Sequence, residues 1–152
     1  MLSKEELNNI FEYNNGDLIR KKTRKIIKSP ANGYFRAAIN KKNYLAHRII
    51  FMMHHGFVPT IIDHVNGNRS DNKIDNLRAA DNSQNAWNRV ANKISTSSIK
   101  GLRLRKNNKW EARIQVNNKS KYLGVFDDIE LAELVVIEAR NKYHKEFANN
   151  GY

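Results

Sequence analysis

The sequence predicts an α+β protein of two modules. Hairpins enclosing a strand–strand–helix segment come first, followed by a three-stranded antiparallel sheet covered by one C-terminal helix. Three observations lead there. Turn pairs rich in Asn and Gly recur between short strand-like runs, and the hydrophobic period lengthens from two to three or four after residue 128. A Ser/Thr-rich stretch without periodicity separates the halves. The expected divisions are 1–92, a linker at 93–99, and 100–152, with the strand–strand–helix core at about 61–90.

The first hairpin is read in FEYNNGDLIRK, where Asn-Asn-Gly-Asp separates two strand-like runs. A basic stretch, Arg20 to Lys28, follows; it fits a solvated loop or a phosphate contact equally well. YFRAAI and YLAHRII flank Asn40-Lys41-Lys42-Asn43, a second hairpin. The apolar run Ile49–Met53, with Gly56 and Pro59 beyond it, predicts a short helix closed by a glycine. Ile61 and Ile62 then lead a short strand into Asp63-His64. A polar loop around Gly67 turns the chain back, Asp75-Asn76-Leu77 opens a second strand, and Asp81 caps a helix through Asn85 and Trp87. In the second module GLRLR, KWEARIQV and SKYLGVF alternate as strands, with turns at Asn107-Asn108 and Asn117-Asn118. From Ile129 to Phe147 the apolar residues Ala132, Val136, Ala139, Tyr143 and Phe147 mark a helical stripe, with Asp127 and Asp128 at its start.

Composition narrows the function. The chain has 152 residues, 27 Lys and Arg against 15 Asp and Glu, a net charge of +12 and no cysteine. Disulfides, cysteine-ligated zinc and thiol catalysis are excluded at once. No apolar run approaches the ~20 residues that span a bilayer, so no membrane partner is expected. The opening MLSKEELNNIF lacks the basic-then-apolar pattern of a secretory signal, which predicts a cytoplasmic protein. Residues 100–126 alone carry a net +7, and a charge this concentrated favours a polyanion.

Asp63, His64, Asn76 and Asn85 form the chemical constellation. An Asp carboxylate with an Asn carbonyl is a hard, oxygen-only partial ligand set suited to Mg²⁺, with Mn²⁺ also accommodated. Neighbouring strand residues face opposite ways, so His64 suits a general base acting on water better than a ligand of the same ion. The Asn76 carbonyl is positioned to fix its tautomer. The same Asn-Gly and Asp-Asn pairs also serve as ordinary turn chemistry, and a purely structural loop remains the alternative at this point. His54, His55 and His144 read as capping or structural residues. On the second module's sheet Arg103, Arg105, Arg113 and Gln115 share the open face, which fits DNA or simply a solvated surface.

The ordered set AHRII, IDH, NKIDNLR and NSQNAWNR resembles the HNH endonucleases of phage and homing type, in a version whose last motif residue is Asn. The resemblance covers most of residues 10–90. It implies a ββα-metal nuclease site with Asp63 and Asn85 on the metal, His64 as base and Asn76 orienting it. His47-Arg48 matches a frequent His-Arg of these proteins, to which the sequence assigns no role. GLRLR, NKWEARI and YLGVFD resemble the APETALA2-type DNA-binding domain, which also occurs fused to HNH nucleases. That likeness implies a DNA-facing set of Lys100, Arg103, Arg105, Lys109, Arg113, Gln115 and Tyr122. The chain departs from the plant domain at Asn107, where a Trp is common, at Tyr122, also commonly Trp, and at Gln115, commonly Arg. The target sequence therefore does not carry over.

The expectation is a Mg²⁺-dependent endonuclease of double-stranded DNA, in a bacterial or phage-infected cell, with no obligate protein partner. A non-catalytic DNA-binding regulator retaining the nuclease fold is the alternative. An RNA-binding accessory protein is a more distant one, because the open face is arginine-led with Tyr122 as its one candidate for stacking.

Overall fold

The computed structural model describes residues 2–28, 30–89, 97 and 99–150. It is a mixed α+β structure with several small antiparallel sheets and a C-terminal helix. The chain divides into two compact units, Met1–Ala80 and Asp81–Tyr152. The division falls before the expected boundary at 92, and most of the expected linker at 93–99 lies outside the described residues.

The first unit opens on a helix outside the expected elements, α1 (Lys4–Ile10). Its signature was present: Ser3 and Glu6 form a capping box, each side chain bonding the other's backbone N–H. Strands β1 (Phe11–Asn14) and β2 (Asp17–Arg20) form the first expected hairpin, and β3 (Lys25–Ile26) extends it. Asn15 and Gly16 both take positive φ, 46° and 96°, the tight turn that right-twisted strands favour. A second sheet has the order β4 (Pro30–Ala31), β5 (Tyr34–Ile39), β6 (Lys42–Leu45), turning at Asn40-Lys41. The chain leaves β6 directly into α2 (Ala46–His55), so the helix starts three residues earlier than the apolar run indicated. Gly56 ends it in the left-handed conformation, as expected. Leu7, Phe11, Leu18, Ile49 and Ile50 are almost wholly buried at the centre of this unit. Strands β7 (Ile61–His64) and β8 (Leu77–Ala80) pair antiparallel, with a 3-10 turn at Ile74–Asn76 where the second strand was expected to begin.

The second unit begins with α3 (Asn82–Trp87), capped by Asp81 in a capping box with Gln84. Strands β9 (Leu102–Leu104), β10 (Trp110–Val116) and β11 (Lys119–Phe126) form the antiparallel sheet in the order β11-β10-β9. Helix α4 (Ile129–His144) packs across one face, with Asp128 as its N-cap. Ala112, Ala132, Val136 and Leu102 make the core. The buried stripe of α4 runs through Ala132, Val136, Ala139, Arg140 and His144. Tyr143 lies off that line, and Phe147 is buried from a separate 3-10 turn.

Candidate active site and nucleic-acid face

Strand β7 carries Asp63 and His64, and both side chains are buried at its end. Cross-strand pairing sets Asp63 opposite Arg78 and His64 opposite Leu77. Arg78 uses that register: Nε donates to Asp63 Oδ2 at 2.9 Å, and a second guanidinium nitrogen lies 2.8 Å from the same oxygen. A buried carboxylate is thereby neutralised by a guanidinium that is itself mostly covered.

The His64 ring is held from several sides. Its Nε2–H donates to Asn72 Oδ1 at 3.2 Å, which leaves Nδ1 as the basic nitrogen of the neutral ring. The His47 ring stands edge-on to it at 5.1 Å, and the Tyr34 ring lies 5.9 Å from His64 and 5.1 Å from His47. His47 is 5% exposed, and burial, with the charges of His64 and Arg48, pushes its imidazole down to about 3. Burial also lowers His64, against the raising influence of the Asn72 bond and the Asp63 charge. Both rings are therefore neutral near pH 7. Arg48, the other half of the His-Arg pair, donates to the carbonyls of Thr60 and Pro59 and so braces the entry to β7.

The expected orienting contact from Asn76 gives way to one from Asn72. Asn76 instead stitches the intervening loop: its Oδ1 accepts the Asn66 N–H, and its Nδ2 donates to Asn66 Oδ1 and to the Asp71 carbonyl. The reason is reach. Asn76 sits in the 3-10 turn before β8, while Asn72 lies buried in the loop against the ring. Asp71-Asn72 is one of the Asp-Asn pairs that serve as ordinary turn chemistry, so the sequence carries no signal to prefer it. Asn85 is half-buried on α3 and belongs to the second unit. Asp63, His64 and Asn76 belong to the first. Among the described residues no group of three His, Cys, Asp or Glu side chains gathers as a metal cluster, so an ion held at Asp63 needs amide, water or phosphate oxygens to complete its shell.

The second unit's sheet shows how its arginines coexist. Glu111, only 7% exposed, pairs with Arg105 through contacts of 2.6 and 2.5 Å and also with Arg113. The two guanidinium groups hold its carboxyl below the ordinary carboxylate range. Arg103 projects from β9 on the same face, and Arg113 also lies over the exposed Tyr122 ring. Gln115 is exposed, and its backbone carbonyl accepts from His144 Nε2. Lys109 pairs with Asp127 at 2.9 Å.

Lys100 departs from the expected DNA-facing set. Its ammonium donates to the carbonyls of Ala86, Trp87 and Arg89, closing the C-terminal end of α3, and burial lowers it to about 8. A lysine preceding a basic strand looks like a phosphate contact in sequence; here unsatisfied helix carbonyls claim it first. His144 is structural as expected, stacked on Trp87 with centroids 4.3 Å apart. His54 bonds the Ile50 carbonyl within its own helix. The basic stretch is partly consumed internally: Arg24 pairs with Glu12, Lys28 with Asp17, and Arg20 reaches the Ala38 carbonyl.

Residues 44–87 match the HNH endonuclease family model, spanning α2, the β7–β8 hairpin and α3. This stretch is an HNH endonuclease-type domain within the longer chain. Protein 3.8 of Escherichia phage T7 is 33% identical to it over 90 residues, which are 57% of this chain and 72% of that protein. No solved structure matches the chain. No described helix is long and apolar enough to cross a membrane.

Proposed function

We propose that this protein is a phage-type, divalent-metal-dependent endonuclease that hydrolyses phosphodiester bonds in duplex DNA. One observation carries the reading: a buried histidine fixed in a single tautomer by Asn72, at the end of the strand that also holds Asp63. The match of residues 44–87 to the HNH endonuclease family model supports a role for that histidine as the base. His64 Nδ1 takes a proton from the attacking water, whose oxygen bonds to phosphorus as the P–O3′ bond breaks; the leaving O3′ takes a proton from a solvent water, giving 5′-phosphate and 3′-hydroxyl ends. Asp63 and Asn85 are the proposed oxygen donors to the cation, whose hard-ligand preference they fit. The cation, when bound, supplies neutralisation of charge developing on the phosphate and the leaving oxygen. Asn72 and His47 hold the imidazole in place, and Asn76 maintains the loop between the strands.

The second unit is the proposed DNA-docking module. A three-stranded sheet backed by one helix, with Arg103, Arg113, Gln115 and Tyr122 exposed, supports its likeness to APETALA2-type domains. Its arginines suit guanine edges or phosphates. The decisive experiment is nicking of supercoiled plasmid with Mg²⁺ or Mn²⁺, lost on adding EDTA and in His64→Ala. The Asp63–Arg78 ion pair favours a second reading, a DNA-binding regulator whose metal carboxylate is permanently occupied. A chain that binds duplex DNA tightly but cuts none with any divalent metal would establish that alternative.

A further inference from the structure

Arg69 lies in the loop between β7 and β8, and that loop is unusually well tied. Asn66 Nδ2 donates to Asp71 Oδ2, the Asn68 N–H to Asn66 Oδ1, and the Ser70 N–H to Asn68 Oδ1. Ser70 Oγ also donates to the Gly33 carbonyl at 3.2 Å, fastening the loop to the turn before Tyr34. The Arg69 guanidinium rests over the Tyr34 ring, 5.1 Å from its centroid. Tyr34 in turn touches both His47 and His64, so four side chains run in continuous contact from an exposed cation to the candidate base.

No described carboxylate forms an ion pair with Arg69, although Arg24, Arg78, Arg105 and Arg113 all have one. An exposed cation–π contact is by itself a weak reason to hold a charge there. It occupies the flat face of the guanidinium and leaves its edge N–H groups for a bidentate anion. We propose that Arg69 is a phosphate-binding residue that grips the DNA backbone beside the bond presented to His64, with Tyr34 as its positioning residue. The placement beside His64 rests on the endonuclease reading; the phosphate contact does not.

The test uses the full chain in a His64→Ala background, so that duplex DNA stays intact while binding is measured across a salt series. Arg69→Ala is expected to lower the slope of log K against log salt by roughly 0.9 and to weaken low-salt binding roughly tenfold. Arg69→Lys keeps the slope, and Tyr34→Leu weakens binding where Tyr34→Phe does not. An unchanged slope with a lowered melting temperature would make Arg69 a loop brace and overturn the proposal. With His64 intact, a methylphosphonate within about two nucleotides of the mapped cut should abolish the difference between wild type and Arg69→Ala. If only a distant methylphosphonate does so, the placement beside His64 is wrong. A wild-type chain that cuts nothing defeats the endonuclease reading, while the salt slope still judges Arg69.

Discussion

The two units handle their charged groups in opposite ways. Around β7 the important side chains are covered: Asp63 and His64 are 5% and 4% exposed, and each is fixed by a neighbouring strand or loop. On the β9–β11 sheet the arginines stand in solvent, and the single buried group is the carboxylate that pairs two of them. A proton-transfer site needs one tautomer and one geometry, which burial and bonding enforce. A polyanion-binding face needs charges that water and salt can reach, because counterion release drives the association. Under the proposed function, the contrast is one of task as much as of packing.

The sharpest way to break this comparison is to remove one side chain from each unit. His64→Ala should reduce plasmid nicking by about a thousandfold while leaving duplex affinity unchanged, whereas Arg103→Ala should weaken affinity and spare single-turnover cutting of bound DNA. Nicking gels and filter binding on the same preparations read both. Next in size is the Asp63–Arg78 pair. Arg78→Ala strips a buried carboxylate of its guanidinium and should cost about 3 kcal/mol in urea unfolding, with Asp63→Asn in the same chain restoring part of the loss.

Acid separates the units more gently. His47 is held far below 6.5, so its neutral burial stabilises the first unit fully above pH 6.5, and that contribution falls away as pH drops toward about 3. Glu111 is depressed from 4.5, so its pairing is fully present above pH 4.5 and is lost only as pH falls through its lower folded value. Hydrogen exchange between pH 7 and 4 should show protection declining in α2 before it declines in β10. The smallest effect belongs to Lys100. Lys100→Met should leave DNA affinity within about twofold and cost about 1–2 kcal/mol of thermal stability, since three carbonyls lose their donor.

Much of the fold was legible because local chemistry wrote it. Asn15-Gly16, Asn40-Lys41 and Asn117-Asn118 all took the positive φ that two-residue hairpins require. Gly56, Asp81 and Asp128 capped the expected helices. Helix α1 is legible too, because its capping box stands in the sequence. Asn72 is a different case. With 22 asparagines in the chain, no spacing argument separates the one that bonds an imidazole from those that turn a loop.

The sequence by itself determined the hairpins, the helix caps and the basic surplus. These follow from residue types and periods over a few positions. Only the tertiary structure decided which partner each group takes: Arg78 for Asp63, Asn72 for His64, Glu111 for two arginines, and helix carbonyls for Lys100. Such choices depend on distances between residues far apart in the chain. They are made by competition among several adequate donors and acceptors, which composition cannot rank.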